Sequence, residues 1–121
     1  MKQTYETGLF GEDTAAEYLC EKGMVLLAHR YRAKPGEIDL IMQDGDTVVF
    51  VEVKTRLTGE AGCGLSAVNT AKQRRIARAA TVWMMQNHCM NALIRFDLVE
   101  VHGSEILHIP NAFQPYGNFQ H

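Results

Sequence analysis

The run Thr47–Thr55, TVVFVEVKT, constrains this chain more than any other segment. Side chains alternate across a strand, which puts Val48 and Phe50 on one face and Val49, Val51 and Val53 on the other. A strand that is apolar on both faces belongs in the middle of a sheet covered on both sides. The same strand ends in Glu52 and Lys54, on the Val48–Phe50 face. Charge is therefore placed at one end of a central strand, beside packed core.

The neighbouring segments supply what such a strand needs. Glu37–Gln43 (EIDLIMQ) reads as a strand, joined to Thr47–Thr55 by the hairpin turn Asp44-Gly45-Asp46. Met24–Arg32 reads as a further strand, followed by a turn at Ala33-Lys34-Pro35-Gly36. Residues 5–22 read as an amphipathic helix ending near Gly23. Thr70-Ala71-Lys72-Gln73 fits a capping box that opens a second helix running to about residue 88. Leu93–His102 and Glu105–Ile109 complete the strands around Gly103-Ser104. Residues 56–65, with three glycines, read as a mobile loop, and residues 110–121 as an irregular tail. The order is αβββαββ, an α/β sandwich in a single domain, and 121 residues is the size of one domain.

Composition excludes several classes. At 46% hydrophobic and 21% charged the chain can bury a core and is not disordered. A net charge of −2 and a pI near 6.2 argue against a uniformly basic nucleic-acid coat. The charge is uneven, since residues 66–90 carry Lys72, Arg74, Arg75 and Arg78 and no acid. Cys20, Cys63 and Cys89 are odd in number and far apart, which speaks against a disulfide framework or a zinc knuckle. They read as reduced thiols of a cytoplasmic protein. No apolar stretch approaches the roughly 18 residues of a membrane span, so no membrane association is expected. The histidines show no ligand spacing and read as structural or exposed.

The hairpin carries the chemistry. With Gly45-Asp46 as the loop, Asp39 faces Glu52 and Lys54 faces Glu37, and all four share one face. With Asp44-Gly45 as the loop, Asp39 and Glu52 become diagonal neighbours; a three-residue loop would separate them. Two carboxylates about 5 Å apart beside packed core repel unless a cation compensates. Mg²⁺ or Mn²⁺ suits oxygen ligands and needs only one or two carboxylates. Such an ion can polarise a phosphate and activate water, with Lys54 beside it to stabilise developing charge. The alternative is a solvated hairpin face with cross-strand ion pairs.

The helices add candidates. Glu12 falls in the middle of the apolar stripe of the first helix, as a third carboxylate reaching the site through water or as a first-turn acid favoured by the helix dipole. Lys72 aligns with Ile76, Ala79 and Trp83 on the stripe that faces the sheet. From the first turn it can reach a phosphate. Arg74 and Arg78 point outward and, with Arg30, Arg32, Lys34 and Arg56, could track a nucleic-acid backbone.

Gly11-Glu12, Gly36-Glu37-Ile38-Asp39-Leu40-Ile41, Val49-Phe50-Val51-Glu52-Val53-Lys54-Thr55-Arg56 and Arg95-Phe96-Asp97 resemble the YraN-like family of bacterial proteins. The resemblance covers about residues 5–101. That family is similar to the restriction-endonuclease-like superfamily, which includes Holliday-junction resolvases and carries a PD-(D/E)XK motif. The resemblance implies an α/β fold with an αβββαβ core and a mixed central sheet flanked by helices. It implies Asp39 as the motif aspartate, Glu52 as its acidic member, Lys54 as its lysine and Glu12 as the first-helix glutamate. Ile38 stands where the motif has proline. The function implied is metal-dependent hydrolysis of DNA, with branched or damaged structures as candidate substrates. The competing classes are a non-catalytic nucleic-acid-binding module and a protein–protein adaptor. A homodimer is compatible with the pattern.

Overall fold

The computed structural model describes residues 5–34, 36–56 and 68–116, with side chains from residue 11 on. The elements follow as α1 (Tyr5–Glu21), β1 (Val25–Ala33), β2 (Gly36–Asp44), β3 (Thr47–Arg56), α2 (Thr70–Gln86), β4 (Leu93–His102) and β5 (Glu105–Phe113). The five strands form one sheet in the order β1-β2-β3-β4-β5. The β1–β2, β2–β3 and β4–β5 pairs are antiparallel, while β3 and β4 run parallel. A parallel pair needs a crossover, and α2 supplies it. This is an α/β mixed sheet with a helix on each face, a restriction-endonuclease-like core. No described helix is long and apolar enough to cross a membrane.

The two apolar faces of β3 take different helices. Val49 and Val51 pack with Leu40 and Met42 of β2 and with Ala15 and Leu19 of α1. Val48 and Phe50 pack with Ile41, Phe96 and the Ile76, Ala79 and Trp83 stripe of α2. Phe50 stacks on Phe96 at 5.3 Å and meets Trp83 edge-on at 6.0 Å. These contacts exceed plain area burial because aromatic pairs add a directional term.

Local details differ from the sequence reading in three places. The cap of α2 is Asn69, one residue earlier than the capping box places it. Its side chain accepts from the Lys72 amide, while the Gln73 side chain bonds the Val68 carbonyl. Asn satisfies the orphan amide as well as Thr does, so sequence alone does not separate adjacent candidates. The irregular tail is also shorter than expected, because β5 continues through Pro110 to Phe113. Proline is tolerated there since β5 is an edge strand, and the buried Phe113 ring packs on Phe96. Residues 117–121 lie outside the described residues, as do residues 57–65 of the expected loop and Cys63.

The third difference positions the site. The β1–β2 register is unshifted from His29↔Leu40 to Tyr31↔Ile38, with a shift only earlier, between Leu26 and Ala28, and Arg30, opposite Asp39, holds a left-handed φ of 50°. Ile38 and Ile41 both pack toward α2 while Leu40 packs toward α1. Two residues, Asp39 and Leu40, separate Ile38 from Ile41, so the period-two alternation slips at Asp39. A slip of this kind re-aims a side chain.

Gly36 sets the distance between β2 and α2. A Cβ there would sit 2.0 Å from the Arg75 carbonyl oxygen. Backbone cannot yield as a side-chain tip can, so Gly36→Ala should force the helix away from the strand. We expect a loss of about 2–3 kcal/mol, read as a lowered urea midpoint with unchanged slope; an unchanged midpoint would show that α2 rides freely on the sheet.

Candidate metal centre

Glu52 is 6% exposed and Asp39 is half-buried. The loop of the β2–β3 hairpin is Gly45-Asp46, with Asp44 opposite Thr47, as in the first of the registers considered. The ladder closes at Leu40↔Val51, and Asp39 and Glu52 lie one step beyond that last pair. There the Asp39 carboxylate turns toward β3, where its Oδ2 accepts a hydrogen bond of 2.8 Å from the Val53 amide. Burial, and then the charge of Glu52, push the Asp39 carboxyl up to about 8, against the pull of the Val53 amide. The two carboxylates thus meet as the sequence implies, and the Glu52 charge raises the cost of charging Asp39.

Lys72 of α2 supplies a cation. Its ammonium pairs with Glu52 Oε2, at the top of the Ile76, Ala79 and Trp83 stripe. Gly36, Glu37, Asp39, Glu52, Lys72, Arg75 and Ile76 line a cleft of about 250 Å³. Arg75, one turn after Lys72, is a member the sequence reading did not single out. The signal was its spacing of three from Lys72, which places both on neighbouring ridges of the helix.

Glu12 stands beside this group. Gly11, Ala15 and Leu19 are buried and Glu12 is half-buried among them. A Cβ on Gly11 would meet Thr55 Oγ1 at 1.9 Å, so glycine is what lets α1 approach β3 closely enough to aim Glu12. Its carboxylate pairs with Arg30 at 3.0 Å. Burial raises the Glu12 carboxyl and Glu37 adds to this, while Arg30 opposes both. Glu12 also contributes to the raised Asp39 carboxyl. It acts on the pair through the field, outside the residues that line the cleft.

The remaining candidates separate. Lys54 is half-buried and is not among the residues that line the cleft, although the alternation of β3 keeps it on the Val48, Phe50 and Glu52 face. β2 and β3 stop pairing before that level, and on the other side of β3 Lys54 stands in register with Glu100 of β4. Arg56 lies 3.9 Å from Glu100, whose side chain is fully buried. The sequence reading passed over Glu100, although it interrupts an apolar strand as Glu52 does. Arg32 pairs with Glu37 at 3.4 Å on the surface. Arg74 and Arg78 are exposed, as their helical positions imply.

The donor set fits a hard divalent cation. Asp39 and Glu52 offer oxygen ligands only, from fixed strands, in a cleft open enough for water to complete the sphere. Among the described residues no group of three or more His, Cys, Asp or Glu side chains is placed to hold a metal. The share of the described residues would therefore be two carboxylates, a number that suits Mg²⁺ and Mn²⁺.

Residues 11–101 match the family described as uncharacterised protein family UPF0102. The chain is similar to a UPF0102 protein of Geobacter metallireducens, 41% identical over 111 residues, which are 88% of this chain and 91% of the relative. A UPF0102 protein of Yersinia enterocolitica is 44% identical over 110 residues, 89% of this chain and 94% of its own length. One from Clostridioides difficile is 42% identical over 110 residues, with 89% and 96% covered. Similarity of this depth, running through α1, the β2–β3 hairpin, α2 and nearly all of β4, shows that the chain belongs to the UPF0102 family, the YraN-like proteins.

Proposed function

We propose that this protein is a Mg²⁺- or Mn²⁺-dependent nuclease that hydrolyses phosphodiester bonds of DNA. The observation that carries the proposal is the pairing of Asp39 with Glu52 in a cleft walled by Lys72 and Arg75. Two acids, Glu52 buried and Asp39 half-buried, facing two cations suit a metal and a phosphate arriving together, and a purely electrostatic binder has little use for the acids. Asp39 and Glu52 would hold the metal. The metal, when bound, supplies Lewis-acid activation of the phosphate and of a water. Lys72 and Arg75 would bind and orient the phosphate from the helix side. Glu12, held by Arg30, adds negative field at Asp39. Branched or damaged DNA as the substrate rests on the resemblance to resolvases.

The test is a panel of linear, nicked, forked and four-way DNA, with RNA beside it, in Mg²⁺ or Mn²⁺. Asp39→Asn and Glu52→Gln should each lower cleavage at least about 100-fold while leaving the fold intact. Lys54→Ala decides the place of the motif lysine. A comparable loss keeps Lys54 in the mechanism, whereas a near wild-type rate leaves the cationic role to Lys72. The pairing of Glu52 with Lys72 favours a second reading, a nucleic-acid-binding module without catalysis, since a neutralised carboxylate needs no metal. Binding without cleavage across the whole panel would select it.

Arg74 and Arg78 test the surface apart from the centre. If they contact phosphates, replacing both by Ala should flatten the slope of log affinity against log salt by roughly 1–2. An unchanged slope returns them to a solvated helix face.

A further inference from the structure

The Lys72–Glu52 pair joins two groups of unequal freedom. The Glu52 side chain is 7% exposed on the central strand β3, so its carboxylate is held by packed neighbours. Lys72 is 32% exposed on the first turn of α2, and its ammonium rides on a flexible four-carbon stem. When a third charge enters the cleft, Lys72 is the partner that moves. A divalent cation shared by Asp39 and Glu52 would take over the compensation that Lys72 now provides and would repel its ammonium at close range. Lys72 and Arg75, one turn apart on α2, line the same cleft, so an ammonium released from Glu52 stays at its wall.

We propose that Lys72 stands in for the divalent cation in the metal-free protein, and that metal binding releases it to become a phosphate contact. The proposal rests on the metal-binding role argued above for Asp39 and Glu52. Its consequence is coupling. Phosphate would find its full set of cations only after the metal is in place, and by reciprocity bound phosphate would tighten the metal. The acids would not stand bare between turnovers, and a phosphodiester would not be gripped in a cleft lacking its metal.

The test needs no cleavage. Mn²⁺ binding is measured by electron paramagnetic resonance on wild type, Lys72→Met and Arg75→Met. Removing a competitor should tighten Mn²⁺ about five- to tenfold in Lys72→Met. Arg75→Met removes an equal charge from the same cleft but not from a carboxylate, and should change affinity less than about twofold. In parallel, the ¹⁵N ammonium signal of wild-type Lys72, assigned by its loss in Lys72→Arg, should shift and sharpen as Mg²⁺ is added. This measurement stands even if Lys72→Met folds poorly. Equal Mn²⁺ affinity in wild type and Lys72→Met would overturn the release while leaving the metal site in place. An Arg75→Met effect as large as that of Lys72→Met would reduce the matter to net charge and also overturn it. No Mn²⁺ binding in any of the three would remove the metal site and the proposal together.

Discussion

Asp97→Ala should destabilise the fold by about 3 kcal/mol, the cost typical of removing one member of a buried charge network. Asp97 is fully buried on β4. Arg95 reaches it through Nε at 2.9 Å and through a second guanidinium nitrogen at 3.1 Å. His108 of β5 meets it at 2.7 Å, and the Asn111 amide, in a residue with φ of 52°, donates at 2.9 Å. Arg95 also reaches Asp44 at 3.1 Å, so one carboxylate ties β4 to edge strand β5 and to the β2–β3 hairpin. Alanine would leave these donors facing nothing, and the melting midpoint should fall on the order of 10 °C.

Burial alone would raise the Asp97 carboxyl, but the hydrogen bonds from His108, Arg95 and Asn111, with the Arg95 charge, hold it below its usual value. A depressed folded pKa contributes stability that is fully present above the unfolded value, about 3.9. That stability is lost as pH falls from there through the folded value. Wild type should therefore lose stability on the acid side of about pH 4, and Asp97→Asn should show a flatter acid limb. Urea melts across pH for both proteins check this. A loss under about 1 kcal/mol in Asp97→Ala would mean that water replaces the network at little cost.

The second large effect concerns the metal centre and needs no substrate. With a weak site of Kd about 1 mM and about 10 mM Mg²⁺, binding to the folded state alone contributes roughly 1.4 kcal/mol. The melting midpoint should rise by about 3–8 °C, and Asp39→Asn should lose most of that rise. The metal-free protein should show the opposite face of the same pair. Asp39 is raised to about 8, so the folded state holds a proton that the unfolded state releases near 3.9. Its contribution is present below the unfolded value and is lost as pH climbs from about 4 to about 8. In EDTA, wild type should weaken across that window relative to Asp39→Asn. Equal Mg²⁺ responses in the two proteins, with parallel pH curves, would leave Asp39 without a metal role.

Much of this was legible in the sequence because it follows from periodicity. Thr47–Thr55 declares itself a covered central strand, and the helix wheel puts Glu12, Lys72, Ile76, Ala79 and Trp83 on inward stripes. The Asp44-Gly45-Asp46 turn restricts the register that brings Asp39 to Glu52, and the motif runs identify the family. Three things were decided only by tertiary structure. The alternation slip at Asp39 lies opposite Arg30, whose left-handed φ of 50° no local preference of Arg announces. The partner of Glu52 proved to be Lys72 of a distant helix, although Lys54 is only two residues away. β2 and β3 stop pairing one step before Asp39 and Glu52, and the close seat of α2 on Gly36 brings Lys72 over the cleft. The burial of Asp97 and Glu100 was hidden for the same reason. A strand pattern tells which face a side chain takes, but whether a charge there meets water, a helix or a counter-ion depends on what the rest of the chain lays across it.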